Sequence, residues 1–284
     1  MLIRLTLLIV MLLSLSVSEA ANQAREQLIA NELASQNAPN EALWLTDEKG
    51  PFFTLKADHG SVQRQGGIIL LHDMEGHPDW PEVIAPLRNG LPEKGWPTLS
   101  VQLPLLSEAS QLTPQDQQRI IDESLTRIAA AVEHFTDTGI YNIVLIGQGL
   151  GATAISRFLS ADLKKDHAIY IKAFIALRFR VHQQLEEEYQ PQALLKLKTN
   201  LPILDIIGTQ LSPLERQQAQ LRKRVAKQSQ NANYRQEPLA NANNNFRNAE
   251  SFLLLRINGW LKVNAGGAEV ELKNLNNKSP LREK

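Results

Sequence analysis

The residues most able to do chemistry lie around Gly149. An apolar strand, Asn142 to Ile146, runs into Gly147-Gln148-Gly149-Leu150-Gly151, and Ala152 opens a helix. Strand, sharp glycine turn and helix form the layout of a nucleophile elbow, G-x-S-x-G, which holds a serine at the tip of the turn to attack a carbonyl. Here Gly149 stands at the serine position. Glycine offers no side chain with which to attack, so acyl transfer loses its nucleophile at the one place the motif supplies it.

Such an elbow works with an acid and a histidine that follow it in the chain. The histidine takes the proton of the nucleophile, and the acid holds the imidazole in the right tautomer. The acid is expected after the strand Pro202 to Ile207, but Thr209-Gln210-Leu211-Ser212 contains no carboxylate. Asp205 lies within that strand, a position that points into the core or the helical layer. The histidine is expected in the loop Asn241 to Phe246, where Asn244 or Asn245 stands instead, and no histidine follows His182. An asparagine cannot act as a general base near neutral pH. All three positions are thus vacant.

Two further constellations compete for a role. His72-Asp73-Met74-Glu75-Gly76-His77 follows the first central strand, where an oxyanion-hole amide would come from. Its four ligand-type side chains could hold a cation. A single loop seldom turns them all inward, however, and no distant ligand is evident. The expectation is therefore no metal. Without metal, His72, Asp73 and His77 are the candidates for a rearranged catalytic site. Gly147 to Ala152 also fits G-x-G-x-x-A, a phosphate-cradling fingerprint. Yet it lies mid-chain, and the next strand ends on Leu177-Arg178-Phe179-Arg180, without the acid that would hold a ribose. No cofactor is expected.

The elements that position these residues read as follows. A polar helix covers about Gln23 to Ser35. A hairpin joins Ala42–Leu45 to Phe52–Lys56. Strands are expected at Gly67–His72, Pro97–Leu103, Asn142–Ile146, Ile171–Leu177 and Pro202–Ile207, with a short last one near Tyr234–Leu239. Helices are expected at 81–91, 114–135 (Thr113 as N-cap, Pro114 first in the helix), 152–160, 213–227 and 249–261. Alternation of strands and helices after a hairpin gives an α/β fold, a mostly parallel sheet with helices on both faces. Arg216, Arg222, Lys223, Arg224 and Lys227 read as a solvated face of the helix after Pro213. The asparagine-rich stretch 231–248 reads as a flexible loop or lid over the site.

The 284 residues carry 30 basic and 30 acidic side chains, so no global field draws the chain to nucleic acid. With no cysteine, disulfides and thiolate chemistry are excluded. Arg4, the apolar run Leu5 to Leu13 and Ser18-Glu19-Ala20 read as a signal peptide over 1–20, with Ala21 as the mature start. The alternative is an uncleaved anchor. No later segment is apolar enough to span a bilayer. The organisation expected is a signal, a polar helical segment over 21–41, a domain over 42–262 and a flexible polar tail over 263–284.

The stretch Gly67-Ile-Ile-Leu-Leu-His-Asp-Met-Glu-Gly-His-Pro-Asp-Trp-Pro81, with Pro86-Leu87-Arg88 and Gly95-Trp-Pro-Thr-Leu-Ser-Val-Gln-Leu-Pro104, resembles a family of exported Gram-negative bacterial proteins. That family is a domain of unknown function assigned to the α/β-hydrolase superfamily. The resemblance extends from about Trp44 to Leu261 and implies an α/β-hydrolase-like fold and a periplasmic location. It implies no substrate. The residues then favour a binding or structural protein, with a small molecule or a protein as its partner. The competing reading is an esterase-like hydrolase rearranged around His72, Asp73 or His77.

Overall fold

The computed structural model describes residues 23–58, 63–105, 113–162, 166–180, 184–197 and 199–266. The expected signal peptide and most of the expected tail lie outside them. The chain opens with helix α1 (residues 23–36) and the hairpin β1 (Ala42–Asp47) and β2 (Gly50–Ala57). Then follow β3 (Gly67–Leu71), α2 (Ile84–Gly90), β4 (Thr98–Val101), α3 (Pro114–Asp137), β5 (Ile143–Gln148) and α4 (Leu150–Asp162). The last part holds β6 (Ile171–Leu177), α5 (Pro191–Leu195), β7 (Ile203–Gln210), α6 (Pro213–Gln228), β8 (Tyr234–Asn243) and α7 (Glu250–Asn264).

One eight-stranded sheet has the order β1-β2-β4-β3-β5-β6-β7-β8. β1 and β2 run antiparallel to their neighbours, and every pairing from β4 to β8 is parallel. The central strands are apolar along their whole length because helices cover both faces. Ile69, Leu71, Ile143, Leu145 and Phe174 meet the α3–α4 side, where Ile121, Ile128 and Ile155 are buried. Ile68, Leu70, Val144, Ile146 and Ile175 meet the other side, where Leu87 of α2 and Leu253 and Ile257 of α7 are buried.

Helix starts follow local chemistry. Thr113 accepts from the amide of Asp116, and the Asp116 carboxylate accepts from the amide of Thr113, a capping box with Pro114 in the first turn. Ser212 and Glu215 repeat the device at α6. Helix α1 is amphipathic. Its Ala30 and Leu33 are buried against Phe53 and Leu55 of β2, and its Glu26 lies 2.6 Å from Arg127 of α3.

Three expectations require correction. The strand expected near Tyr234–Leu239 is present but longer, so much of the stretch 231–248 read as a loop is sheet: β8 occupies Tyr234–Asn243 and pairs with β7 from Ile203↔Tyr234 to Gln210↔Asn243. Backbone pairing to the strand beside it outweighs the low strand propensity of its asparagines. The tail does not begin at Val263, since α7 continues to Asn264 and Ala265 is buried after it. Arg222 is not on a solvated face. It is buried and donates from Nε to Asp205 Oδ2 at 2.7 Å, while Arg216, Lys223, Arg224 and Lys227 remain exposed.

Asp205 is therefore the centre of a buried network between β7, β8 and α6. Besides Arg222 it accepts from the Tyr234 hydroxyl at 2.6 Å and from Gln236 Nε2 at 2.9 Å. Burial, and then the Asp205 charge, push the Tyr234 hydroxyl well above its ordinary pKa, so it stays a donor. Arg222→Leu strands a buried carboxylate. It is expected to destabilise the fold by about 3–5 kcal/mol in urea denaturation, whereas Arg224→Lys, on the exposed side of the same helix, changes stability by less than about 0.5 kcal/mol.

Candidate functional site

The turn between β5 and α4 sits at the carboxyl ends of the central strands, where sites form in open α/β sheets. Gly149 is at its tip with φ +54°, a left-handed conformation that glycine adopts without strain. Gly151 lets α4 approach β3: a Cβ there would lie 2.5 Å from the His72 carbonyl oxygen.

The space above Gly149 is occupied by Asp73. A Cβ built on Gly149 would lie 2.1 Å from both Cγ and Oδ1 of Asp73. Asp73 Oδ1 accepts from the Leu150 amide at 2.9 Å and from the Met74 amide at 2.8 Å. Its Oδ2 accepts from Arg178 Nη1 at 2.9 Å. The two amides come from the residue after the elbow tip and from the β3 loop, the two places that build an oxyanion hole in this kind of elbow. The carboxylate thus lies where a developing oxyanion would be stabilised. It also faces the first turn of α4, where the helix favours negative charge. Arg178, at the end of β6, is held at φ +53°.

His72 is buried beside this carboxylate and has a different task. Its Nδ1–H donates to the Asp73 carbonyl at 2.6 Å, and its Nε2 accepts from the Leu103 amide at 3.0 Å. A carbonyl only accepts and an amide only donates, which fixes a neutral ring with the proton on Nδ1. Burial lowers its pKa to about 4. It ties the end of β3 to the end of β4 and has no free nitrogen for proton transfer. His77 accepts from the Asp79 amide through Nδ1 at 3.2 Å and meets Trp80 edge-on, 5.5 Å between centroids. Burial lowers its pKa too. The loop therefore does not point its side chains at one centre. Among the described residues no group of three or more His, Asp or Glu converges as metal ligands would.

Asn244 lies just after β8 and donates from Nδ2 to Glu215 Oε1 at 3.0 Å. Glu215 stands in the first turn of α6, directly after β7. Burial alone would raise its pKa. Hydrogen bonds from Ser212 and Asn244 and the charge of Arg178 outweigh that and hold it below the ordinary value. A carboxylate after β7 and a side chain after β8 thus meet as an acid and a histidine would, with asparagine in the second place. Asn245 sits in the same turn, where its backbone amide donates to Asn243 Oδ1. Asp205 is instead bound to Arg222, Tyr234 and Gln236 in its own network. Sequence reasoning missed Glu215 because the residues directly after the strand, Thr209 to Ser212, hold no carboxylate and the acid lies one helical turn further on. The pattern Ser212-Pro-Leu-Glu215 is itself a capping-box signature that places an acid one turn into α6. Arg178, at the end of the strand after the elbow, is paired with Asp73. A phosphate at the glycine turn would have to displace that carboxylate.

Two outcomes are expected. Gly149→Ala forces a methyl into Asp73 and strains φ, at a cost of about 2–4 kcal/mol. In an Asp73→Ala background that cost is expected to fall by at least about 1 kcal/mol, read as the coupling in a denaturation cycle. For His72 the folded pKa lies below the unfolded value of 6.5, so the folded state binds fewer protons and the stability is present above 6.5. It is lost as pH falls through 6.5 towards about 4, by about 3 kcal/mol, and a His72→Asn variant should lack that part of the pH slope.

The chain resembles known proteins in fold. Esterase 2 of Thermogutta terrifontis, solved phosphoramylated by tabun, superposes with TM-score 0.63 at 13% identity, over 82% of this chain and 98% of that one. The Pyrococcus furiosus esterase Pf2001 gives 0.61 at 16% identity, over 79% and 91%. A Xanthomonas campestris α/β serine hydrolase without lid gives 0.52 at 14% identity, over 78% and 92%. Comparison with curated proteins gives no match. The sheet, its helices and these likenesses are those of the α/β-hydrolase fold. A family model described as protein of unknown function, DUF3530, matches residues 15–124 and 106–263, and the chain belongs to that family.

Proposed function

We propose that this α/β-hydrolase-fold protein is exported to the periplasm and works by binding rather than by serine-hydrolase catalysis. The observation that carries this reading is the Asp73 carboxylate over Gly149, with Oδ1 on the Leu150 and Met74 amides. A substrate carbonyl would need those amides, and a nucleophile would need that space. Asp73 is a poor nucleophile in this setting. One oxygen is committed to two amides and the other to Arg178, and neither His72 nor Asn244 offers a base. Export is supported by the apolar run Leu5 to Leu13 and Ser18-Glu19-Ala20. The esterases of similar fold act on esters by their own names, and that activity does not carry over at 13–16% identity.

One mass-spectrometric experiment tests both parts. Protein purified from the periplasmic fraction after fluorophosphonate treatment is expected to begin at Ala21 and to carry no adduct. A mass that includes residues 1–20 would show a retained anchor. An adduct, or ester turnover that disappears in a folded His77→Ala variant, would establish the rearranged hydrolase instead.

A further inference from the structure

Helix α1, helix α3 and the β1–β2 hairpin enclose a cleft of about 220 Å³, closed on one side by Pro104 and Leu105 just past the end of β4. Trp44 of β1 lines it and is 41% exposed, while its ring is held edge-on to Phe53 with 5.2 Å between centroids. The charged groups of the cleft stand in two tiers. In the deep tier Arg127 is buried; it donates to Glu26 at 2.6 Å and to the Gln102 carbonyl at 2.8 Å, with Asp47 at 3.9 Å. These contacts fix the walls against one another. In the outer tier Glu123 meets Lys49 at 2.5 Å and Arg119 at 3.8 Å, and the side chains of Lys49 and Arg119 are about half exposed. Glu26, Asp47 and Glu123 thus balance Lys49, Arg119 and Arg127. The deep tier is not closed by the protein alone: the buried Nε–H of Arg127 has no acceptor among the described residues. We propose that this cleft binds an uncharged saccharide through a single sugar ring.

The chemistry of the walls selects that class. A charged ligand would have to break one of the balanced pairs and leave its partner uncompensated. An apolar ligand would cover Glu123 and Arg119 and give their polar atoms nothing in return. A sugar avoids both costs. Each hydroxyl donates and accepts, so one ring can donate to Glu123 and accept from Arg119 or Lys49 without carrying charge. Its C–H face is apolar and suits the indole of Trp44, a large rigid surface with few torsions to freeze. The amide of Gln27 on α1 offers a further donor and acceptor at the rim. The volume is below the roughly 300–1,000 Å³ of sites for drug-sized ligands, which suits one ring rather than a buried chain. A cation over Trp44 fits less well, because Lys49 and Arg119 stand at the same opening. This cleft lies apart from the Asp73–Gly149 elbow, so the proposal adds a site to the binding role proposed above and is read out without ester chemistry.

The test is NMR on the purified ¹⁵N-labelled protein. The indole N–H signal of Trp44 is identified by its loss in Trp44→Phe. Methyl glucoside, methyl galactoside, methyl mannoside and N-acetylglucosamine are each added to about 50 mM, enough to reveal millimolar affinity. At least one is expected to move the Trp44 signal to saturation and to leave those of Trp80, Trp96 and Trp260 in place. Arg119→Ala removes a half-exposed donor, and Glu123→Gln removes the charge between the two cations. Each variant should keep a folded amide spectrum and weaken the sugar at least about 10-fold. Three results would overturn the proposal: no response of Trp44 to any of the four sugars, a response undiminished in both variants, or a response to tetramethylammonium or acetate at lower concentration than to any sugar. Fluorophosphonate labelling at the elbow would overturn the non-catalytic reading and leave this result untouched.

Discussion

A carboxylate at the tip of the β3 loop sets the character of the whole mouth of this fold. Asp73 satisfies the Leu150 and Met74 amides, which otherwise would point unpaired into the space above the elbow. It also holds Arg178, whose charge reaches Glu215, which in turn holds Asn244. The ends of β3, β5, β6, β7 and β8 are thereby joined by polar contacts that begin at one side chain. Gly149 belongs to this arrangement as much as Asp73 does: any larger residue at the tip would collide with the carboxylate. The absence of a side chain at Gly149 and the seat of the Asp73 carboxylate are two sides of one fit. An oxyanion hole is costly to leave empty in a closed protein, since its amides are aimed at charge that forms only during reaction. Here Asp73 Oδ1 accepts from the two amides that lie in those places.

The framework allows this because its strength lies elsewhere. Two apolar layers cover the parallel strands, and buried polar networks lock elements that lie far apart in the chain. Asp205 with Arg222 and Tyr234 ties α6 to β7 and β8. Arg88 ties α2 to Asp79 and, through Glu41 and Asn37, to the segment after α1. His72 joins β3 to β4 as a neutral ring that burial keeps uncharged. Each of these groups resembles a catalytic residue by type and serves packing by position.

The sequence announced the strand, glycine turn and helix at residues 142–160, because apolar runs and glycines act over a few residues and need no distant partner. It announced the capped start of α3 for the same reason. β8 was legible only in part. Its asparagines read as loop, and the pairing with β7 that makes them a strand is a contact between segments about thirty residues apart. Arg222 was misread because a charged residue on a charged helix gives no local sign that a buried carboxylate waits on the strand beneath it. Asp73 was visible as a candidate beside the elbow. Its actual place, with its carboxylate over Gly149, depends on the close approach of β3 and α4, which spacing in the chain does not reveal. The pairing of Glu215 with Asn244 is of the same kind: each is local to its own turn, and only the sheet order brings them together.

A crystal structure of the mature protein at near-atomic resolution would test the central claim most directly, by showing where the Asp73 carboxylate rests. The account expects it over Gly149, with Oδ1 about 3 Å from the Leu150 and Met74 amides and Oδ2 on Arg178. A carboxylate turned out to solvent, with both amides open to a bound anion or substrate above the elbow, would contradict it.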